Sequence, residues 1–325
     1  MAAKKTSRSK KTVQKGKARD VGMIAQSVPV APDRKMPWFG WLGLAIMIAS
    51  EIALYLEFHP TAVVFTPIMW TGYILFIDGW IWARGGISYF LDRQEKWPML
   101  ALISVLIWVM FEAFNFKVQA WQYFNRPEPF ARDVIFAWAF ATIIPALLRT
   151  RTLFSSFKFF DRAHPWKIRF TPFLLGLSFV IGIAFTFLPV MFDDYLANLF
   201  IPFVWVGLIF LLEPINYRIG APSIYRDLED GRISFFWQIL AAGLLCGLLW
   251  ESWNKQAIPF DGLIWKYYLN PIYHTLSFNL QIGEMPLLGF LGYPPFIWEC
   301  YALWELVRWA MHGDTLWKPP GAVKA

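Results

Sequence analysis

Two short stretches of the sequence place a glutamate among bulky apolar residues, with an asparagine three positions later. In FEAFN these residues are Glu112 and Asn115, and in WESWN they are Glu251 and Asn254. Residues at i and i+3 of a helix lie on the same face, so each acid and its amide point the same way. A carboxyl group kept from water can donate or accept a proton near neutral pH. We therefore predict acid and base roles for Glu112 and Glu251, with the two asparagines as orienting groups.

A third acid lies in the stretch GEMPLLGFLGYPPFIWECYALWE, which runs from Gly283 to Glu305. Proline suits a helix start and disrupts a helix interior, so we expect a helix from near Pro294 to about Trp309. The residues before it would form a half-helix or re-entrant turn that lines a cavity, although a purely structural kink fits the same pattern. Glu299 would lie about one turn inside this helix, as the catalytic partner of the first two acids.

Aromatic residues make up 19% of the chain and include 19 tryptophans. They suit apolar ligand walls as well as membrane interfaces, and their faces can stabilise a carbocation. The connection at 255–282 is rich in aromatic residues and predicts either a lid over the site or a segment of an interfacial belt. We expect these residues to contribute to substrate binding: Glu51, Glu284, Trp250, Trp253 and Trp298.

Two further acids, Asp78 and Glu213, lie near the opposite ends of their apolar runs. Arg84 and Arg218 follow one to two turns later, so we predict structural ion pairs or side chains that extend to the interface. The first group of acids has a structural alternative too, because a protonated acid can hydrogen-bond to a neighbouring helix.

The sequence contains no Cys/His metal spacing, no glycine-rich phosphate loop and no nucleophile motif. Cys246 and Cys300 lie inside apolar runs and are predicted to be inert buried thiols. No metal ligand is therefore assigned. The carboxylates of the site are nevertheless suitable ligands for a divalent ion, and the cofactor is left open.

The elements that position these residues are predicted to be membrane-spanning helices. Apolar residues make up 57% of the chain and charged residues only 16%, against about 25% charged in ordinary soluble domains. The mean hydropathy is +0.41. Long apolar runs recur throughout, which predicts an all-α membrane protein. Eight spans are expected, at about 37–58, 61–83, 97–116, 133–149, 170–191, 198–217, 235–254 and 286–309.

Lys and Arg are concentrated before residue 37 and in alternate connections between the predicted spans. Positive charge accumulates on the cytoplasmic side, so we expect a bacterial inner (plasma) membrane protein with both termini in the cytoplasm. The net charge of +7 is then a topology signal, and no nucleic-acid partner is expected. Residues 1–36 are predicted to be a disordered basic tail, and residues 313–325 a cytoplasmic C-terminal tail.

The chain also carries an internal similarity. The pattern P-x-x-W-x-G-x-I-x-x-x followed by an acid runs from Pro67 to Asp78 and again from Pro202 to Glu213. The acid–asparagine pair recurs in the same order. Each half has four predicted spans, so we predict two parallel repeats related by an axis along the membrane normal. A homo-oligomer is left open. The predicted four-helix repeats cover residues 37–152 and 153–312.

At LLWESWNKQAI and in the proline-containing stretch from Gly283 to Glu305, the sequence resembles an uncharacterised group of bacterial polytopic membrane proteins. This resemblance covers about the C-terminal third and implies no activity. Asp78 and the pair Glu213-Pro214 are similar to the lycopene cyclase domain of carotenoid enzymes, which are small helical membrane proteins with acids near span ends. The paired-acid-plus-proline motif of that family is not reproduced, since a single acid precedes Pro214 and Asp78 precedes Gly79.

Three functions fit these patterns. The first is an integral membrane enzyme that uses carboxylate acid–base chemistry on a lipid or isoprenoid substrate in the outer half of the membrane, as a cyclase, isomerase or hydratase. The second is a proton-coupled or small-solute transporter, which a parallel repeat, a broken helix and intramembrane acids suit as well. The third is a structural subunit of a membrane assembly.

Overall fold

The computed structural model describes residues 34–157, 159–160 and 167–312. The predicted N-terminal tail as far as residue 33 and the predicted C-terminal tail lie outside these ranges. Helices dominate the described chain. In chain order they are α1 (Trp38–Tyr55), α2 (His59–Ala83), α3 (Tyr89–Asp92), α4 (Lys96–Val118), α5 (Pro129–Ser155), α6 (Pro172–Met191), α7 (Asp194–Leu199), α8 (Ile201–Ile219), α9 (Ile224–Asp230), α10 (Ile233–Ala257), α11 (Pro271–Leu276), α12 (Leu287–Phe290) and α13 (Tyr293–His312).

Seven helices in the described ranges are long and apolar enough to cross a membrane: α1, α2, α4, α5, α6, α8 and α10. They match the first seven predicted spans, and α5 extends beyond the short span expected at 133–149 at both ends. The eighth predicted span corresponds to α13, which has 20 residues. It carries Glu299, Glu305 and Arg308, so it is less apolar than the others, and its crossing stays a prediction.

Prolines and capping side chains define the helix starts. A proline stands in the first turn of α2, α5, α6 and α8. An amide hydrogen at this position has no partner within the helix, so its absence in proline costs no helix hydrogen bond. The Thr171 hydroxyl accepts a hydrogen bond from the Leu174 amide at the start of α6. Helix α13 begins at Tyr293, which agrees with the start expected near Pro294.

The same helix contacts occur in both halves of the chain. Helix α1 packs on α2 as α6 packs on α8, and α5 contacts α2 and α4 as α13 contacts α8 and α10. The helices of the two halves meet mainly where α10 contacts α5 and α2. The helices that carry the candidate site residues therefore pack against other helices on two sides.

Close backbone contact at glycine joins the outer helix of each half to its neighbour. A Cβ atom added at Gly43 of α1 would lie 2.4 Å from the Gly72 carbonyl oxygen of α2. One added at Gly182 of α6 would lie 2.2 Å from the Leu211 amide nitrogen of α8. Small residues let membrane helices approach in this way, and dispersion contacts then stabilise the pair.

One end of the bundle is crossed by a pair of short strands, and we call it the strand end. Strand β1 (Trp121–Phe124) follows α4, and β2 (Ile264–Tyr267) follows α10. They pair antiparallel, with Trp121 opposite Tyr267 and Tyr123 opposite Trp265. The expected half-helix before α13 is instead a small hairpin of β3 (Gln281–Ile282) and β4 (Met285–Pro286), followed by the single turn α12. Gly283 in the hairpin turn has a φ of 61°, which glycine adopts without strain.

At the opposite end, Asp78 is part of a fully buried ion pair. The Arg149 guanidinium lies 2.7 Å from Asp78 Oδ1, and the Ser88 hydroxyl donates to Oδ2 at 2.5 Å. The prediction of Arg84 as the partner is wrong, because Arg84 donates to Ser156 instead. Asp78 is fully buried and does not extend to the interface.

Glu213 occupies the matching position in the second half but has uncharged partners. It is fully buried and accepts hydrogen bonds from the Ser223 hydroxyl at 2.6 Å and from Trp298 Nε1 at 2.6 Å. The Tyr225 amide donates at 3.3 Å. The expected ion pair with Arg218 is therefore replaced by neutral donors from α9 and α13.

We expect Gly182→Ala to destabilise the protein, because the added methyl group would overlap the backbone of α8. Gly176→Ala on the same helix is the control, since nothing lies within 4 Å of its added Cβ, and alanine is intrinsically the better helix former by about 1 kcal/mol. Thermal unfolding in mild detergent measures both. Equal stability of the two variants would contradict the packing described for α6 and α8.

We expect Arg149→Met to lower the free energy of unfolding by about 3–5 kcal/mol, because it leaves the buried Asp78 charge unpaired. The double variant Asp78→Asn/Arg149→Met removes both charges and should recover part of the loss. Arg126→Met, at an exposed position, is the control. Unfolding in a graded denaturing detergent compares the four proteins. A double variant no more stable than Arg149→Met alone would show that the unpaired charge is not the cause.

Candidate functional site

An aromatic cavity lies between the two halves, nearer the strand end. The cavity volume is about 100 Å³. No charged side chain of the described residues lines it, and its polar lining groups are hydroxyl and indole N–H groups. More than half of the lining residues are aromatic. These are Trp70, Trp108, Trp121, Trp205, Trp250, Trp265, Tyr123, Tyr267, Tyr293, Phe136, Phe140 and Phe296.

The six tryptophans of the wall contact one another in one connected group. Such contacts between offset or edge-on rings add to the gain from burial and hold each ring in a fixed orientation. The ring centroids are 5.4 to 6.1 Å apart in the pairs Trp108–Trp250, Trp70–Trp250, Trp108–Trp121, Trp121–Trp205 and Trp250–Trp265.

The Glu112 carboxylate lies behind this wall and is half-buried. Three aromatic donors meet its Oε1 atom: Tyr123 OH at 2.6 Å, Trp108 Nε1 at 2.8 Å and Trp121 Nε1 at 3.1 Å. All three donors also line the cavity. The acid is therefore connected to the cavity through polar edges of aromatic side chains.

The Glu251 carboxylate is held in the same way in the second half, but it is fully buried. Tyr267 OH and Tyr293 OH each donate to Oε1 at 2.7 Å, and the Glu284 amide donates to Oε2 at 3.1 Å. Trp265 Nε1 donates to Tyr267 OH at 2.8 Å and extends the network. Glu284, predicted to bind substrate, thus contributes its backbone here, and its side chain pairs with Lys255 at 2.5 Å.

The two asparagines bind the strands rather than the acids. The side chain of Asn254 accepts from the Trp265 amide at 3.0 Å and donates to the Trp265 carbonyl at 2.9 Å. Asn115 makes the same pair of bonds with the main chain of Trp121, at 3.1 and 2.9 Å. Each asparagine side chain thus makes the pair of main-chain hydrogen bonds that a neighbouring strand would otherwise make. It orients its acid only indirectly, by fixing the strand that carries the donors.

The strand sequences explain why donors from β1 and β2 reach the acids. Both strands carry Trp-x-Tyr, as Trp121 with Tyr123 and Trp265 with Tyr267. Alternate residues of a strand point to the same face, so each tryptophan and tyrosine point together into the bundle. This repeated spacing is the sequence signal that could have identified these four residues as site residues.

Burial raises the pKa of Tyr123, and the adjacent Glu112 carboxylate raises it further. The pKa of Tyr267 is raised by burial and by Glu251 in the same way. Both shifts lie well above the ordinary value, so both phenols stay protonated and act as donors. The direction agrees with the hydrogen bonds that each makes to its glutamate.

Glu299 is not joined to this network. It is fully buried on α13, and no side chain of the described residues donates a hydrogen bond to either of its carboxylate oxygens. Glu112 and Glu251 each bond to donors of their own half. The structure therefore forms two separate acid sites on the two sides of one cavity, and hydrogen bonds do not unite the three acids in a shared polar group.

Of the remaining predicted binding residues, only Trp250 lies on the cavity wall. Trp253 packs behind the wall, with its ring centroid 4.8 Å from that of Trp70. Trp298 donates to Glu213 at the opposite end, and the half-buried Glu51 of α1 does not line the cavity. Helical phase explains these positions. Residues three apart on one helix share a face only approximately, as Trp250 and Trp253 show on α10. A displacement of one turn along α13 likewise gives a side chain such as Trp298 a different neighbour.

Together these features define a polytopic helical membrane protein with an aromatic cavity between its halves. Within the described ranges, no group of three or more His, Cys, Asp or Glu side chains lies close enough to hold a metal ion. Comparison of the chain with protein-family models, with curated proteins and with solved structures gave no match. The functional assignment therefore depends on the geometry of the site.

We expect Asn254→Leu to destabilise the strand end strongly, because it leaves the Trp265 amide and carbonyl without partners. Each unpaired buried group costs about 1–3 kcal/mol. Asn115→Leu is the matched comparison, and it should cost less because Asn115 is half-buried and water can replace the amide. Denaturant unfolding and the near-ultraviolet circular dichroism of the tryptophans measure the effects. A larger loss in Asn115→Leu would contradict the role assigned to burial.

Proposed function

We propose that the protein is an integral membrane enzyme that acts on a lipid or isoprenoid substrate held in the aromatic cavity. The observation that carries the proposal is the position of Tyr123 and Tyr267. Both line the cavity, and each donates a hydrogen bond to a glutamate behind the wall. A hydroxyl group in this position can pass a proton between a carboxyl group and a substrate atom.

The environments of the two acids support different roles. The three donors to Glu112 all meet Oε1, and its side chain is half-buried. Glu251 is fully buried, and burial disfavours the ionised form of a carboxyl group. Two carboxyl groups in unlike environments are a common basis for separate acid and base roles. We assign Glu251 with Tyr267 as the acid and Glu112 with Tyr123 as the base.

The proposed reaction transfers protons without any co-reactant. Tyr267 protonates a carbon of a substrate double bond and regains a proton from Glu251. Tyr123 takes a proton from a neighbouring carbon and passes its own proton to Glu112. The substrate gains and loses one proton, so the product is an isomer or a cyclised form. Solvent at the strand end returns a proton from Glu112 to Glu251.

The proposal includes the predicted topology and repeat. With both termini in the cytoplasm, the strand end lies in the outer half of the membrane, where a membrane lipid can enter from the side. The repeat is supported by the matched helix contacts and by the matched bonds of Asn115 and Asn254. An axis through the paired strands β1 and β2 would relate the halves.

A carrier is the second candidate, and the location of the cavity favours it. Helices α2, α4 and α5 of the first half and α8, α10 and α13 of the second all contribute to the wall. Substrate sites of carriers also lie between repeats, near discontinuous helices. In that case the cavity opens to the two membrane faces in turn, and the acids couple transport to protons.

Lipid and pigment extracts distinguish these functions. We compare wild type, a deletion strain and Glu251→Gln, which keeps the shape of the side chain and removes the acid. Loss of one lipid species and accumulation of its isomer or precursor are expected in the last two strains. Glu57→Gln makes the same chemical change at an exposed position at the strand end and should match wild type.

A reduction of turnover by about a hundredfold or more is the usual effect of removing a general acid. Tyr267→Phe keeps the ring in the wall and removes only the relay, so it should show the same change in lipid composition. Identical extracts from all strains, together with an altered solute or proton flux in Glu251→Gln, would overturn the enzyme in favour of the carrier.

A further inference from the structure

We infer that the group held between the indole rings carries a positive charge, as an alkyl-substituted cationic carbon or nitrogen centre. This inference rests on the proposed function and names the class of substrate or intermediate that the same cavity takes. It depends on the direction of the indole N–H groups, on the charges around the cavity and on what neutralises them.

Three of the six wall tryptophans direct their N–H edges at the acid sites. Trp108 and Trp121 donate to Glu112, and Trp265 donates through Tyr267 OH to Glu251. A donor bonded to an anion is polarised and becomes more electron-rich. The π faces of these rings carry the negative side of the ring quadrupole, which attracts a cation.

The two carboxylates lack a cationic partner among the residues that the structure describes. The ion pairs of the described ranges involve neither Glu112 nor Glu251. Asp78 at the opposite end is, by contrast, neutralised by Arg149. An ionised side chain within the membrane is costly and is normally paired. A cation in the cavity supplies the missing charge for the ionised acid, and for both acids once the second has given up its proton.

Nearby lysines do not fill this role. Lys255 is paired with Glu284 at 2.5 Å. Lys266 is exposed on β2, with its amino group 5.5 Å from the centroid of the Phe124 ring. Neither lysine lines the cavity. The negative potential of the two acids therefore acts on whatever the cavity contains.

A cation arises in the proposed reaction itself. When Tyr267 protonates a double bond, the substrate becomes a carbocation and Glu251 becomes a carboxylate. The rings then separate the cation from two carboxylates by one aromatic layer. This arrangement stabilises the charge while keeping a nucleophilic oxygen from bonding to it.

A permanent cation tests this inference directly. Purified protein in nanodiscs of zwitterionic lipid is titrated calorimetrically with octyltrimethylammonium and with its neutral isostere 2,2-dimethyldecane, and empty nanodiscs are subtracted. The cation is expected to bind at least about tenfold more tightly than the isostere, within the range of desolvated cation–π contacts. The double variant Glu112→Gln/Glu251→Gln should bind both equally. Glu57→Gln should keep the preference of wild type.

Each outcome has a distinct meaning. Equal binding of the two probes to wild type would overturn the inference and leave the proposed apolar site intact. Binding of neither probe would overturn the proposed function as well. A cation preference that persists in the double variant would show that the acids are not its source, and would also overturn the inference. If the double variant does not fold, Glu112→Gln and Glu251→Gln are used singly, and each should lose part of the preference.

Discussion

The carboxylates of Glu112 and Glu251 lie among apolar helices whose main-chain N–H groups are already bonded within those helices. Donors for these acids must therefore come from side chains or from chain that has left the helix. The protein uses both sources, since Tyr123 and Tyr267 are brought back over the helix ends by strands. The need for donors thus accounts for the paired strands, for the asparagines that hold them, and for the aromatic wall that they complete.

At the opposite end of the bundle, buried acids also have hydrogen-bond donors, but these donors do not form a site. Ser88 and Ser223 follow Asp78 and Glu213 at the same distance along the chain, and each donates a short hydrogen bond to its acid. Arg149 completes the first arrangement, and Trp298 completes the second. These acids anchor the turns that follow α2 and α8. Asp78 and Glu213 are thus structural anchors, whereas the aromatic donors of Glu112 and Glu251 also border a cavity.

The sequence predicted the membrane class, the seven apolar spans and the start of α13, because length, hydropathy and proline position are local properties. It also singled out Glu251 and Asn254 as candidates by type and spacing, and their roles stay a prediction. It could not show that Asn254 binds the main chain of Trp265, since that bond depends on a strand pair between the 120s and the 260s. Trp250 and Trp253 illustrate the same limit, because composition alone does not distinguish a ring on the cavity wall from one behind it.

The two acid sites differ in their donors, and one of these differences bears on function. Trp108 bonds to Glu112 from one turn earlier on the same helix. In the second half the position one turn before Glu251 is Gly247, and the ring of Tyr293 fills the space that a side chain there would occupy. A donor from α13 thus replaces one from the acid's own helix, buries Glu251 completely and leaves Glu112 half-exposed. Two sites with matched strands and asparagines but unequal access to water are suited to unequal protonation, which a reaction with one acid and one base requires.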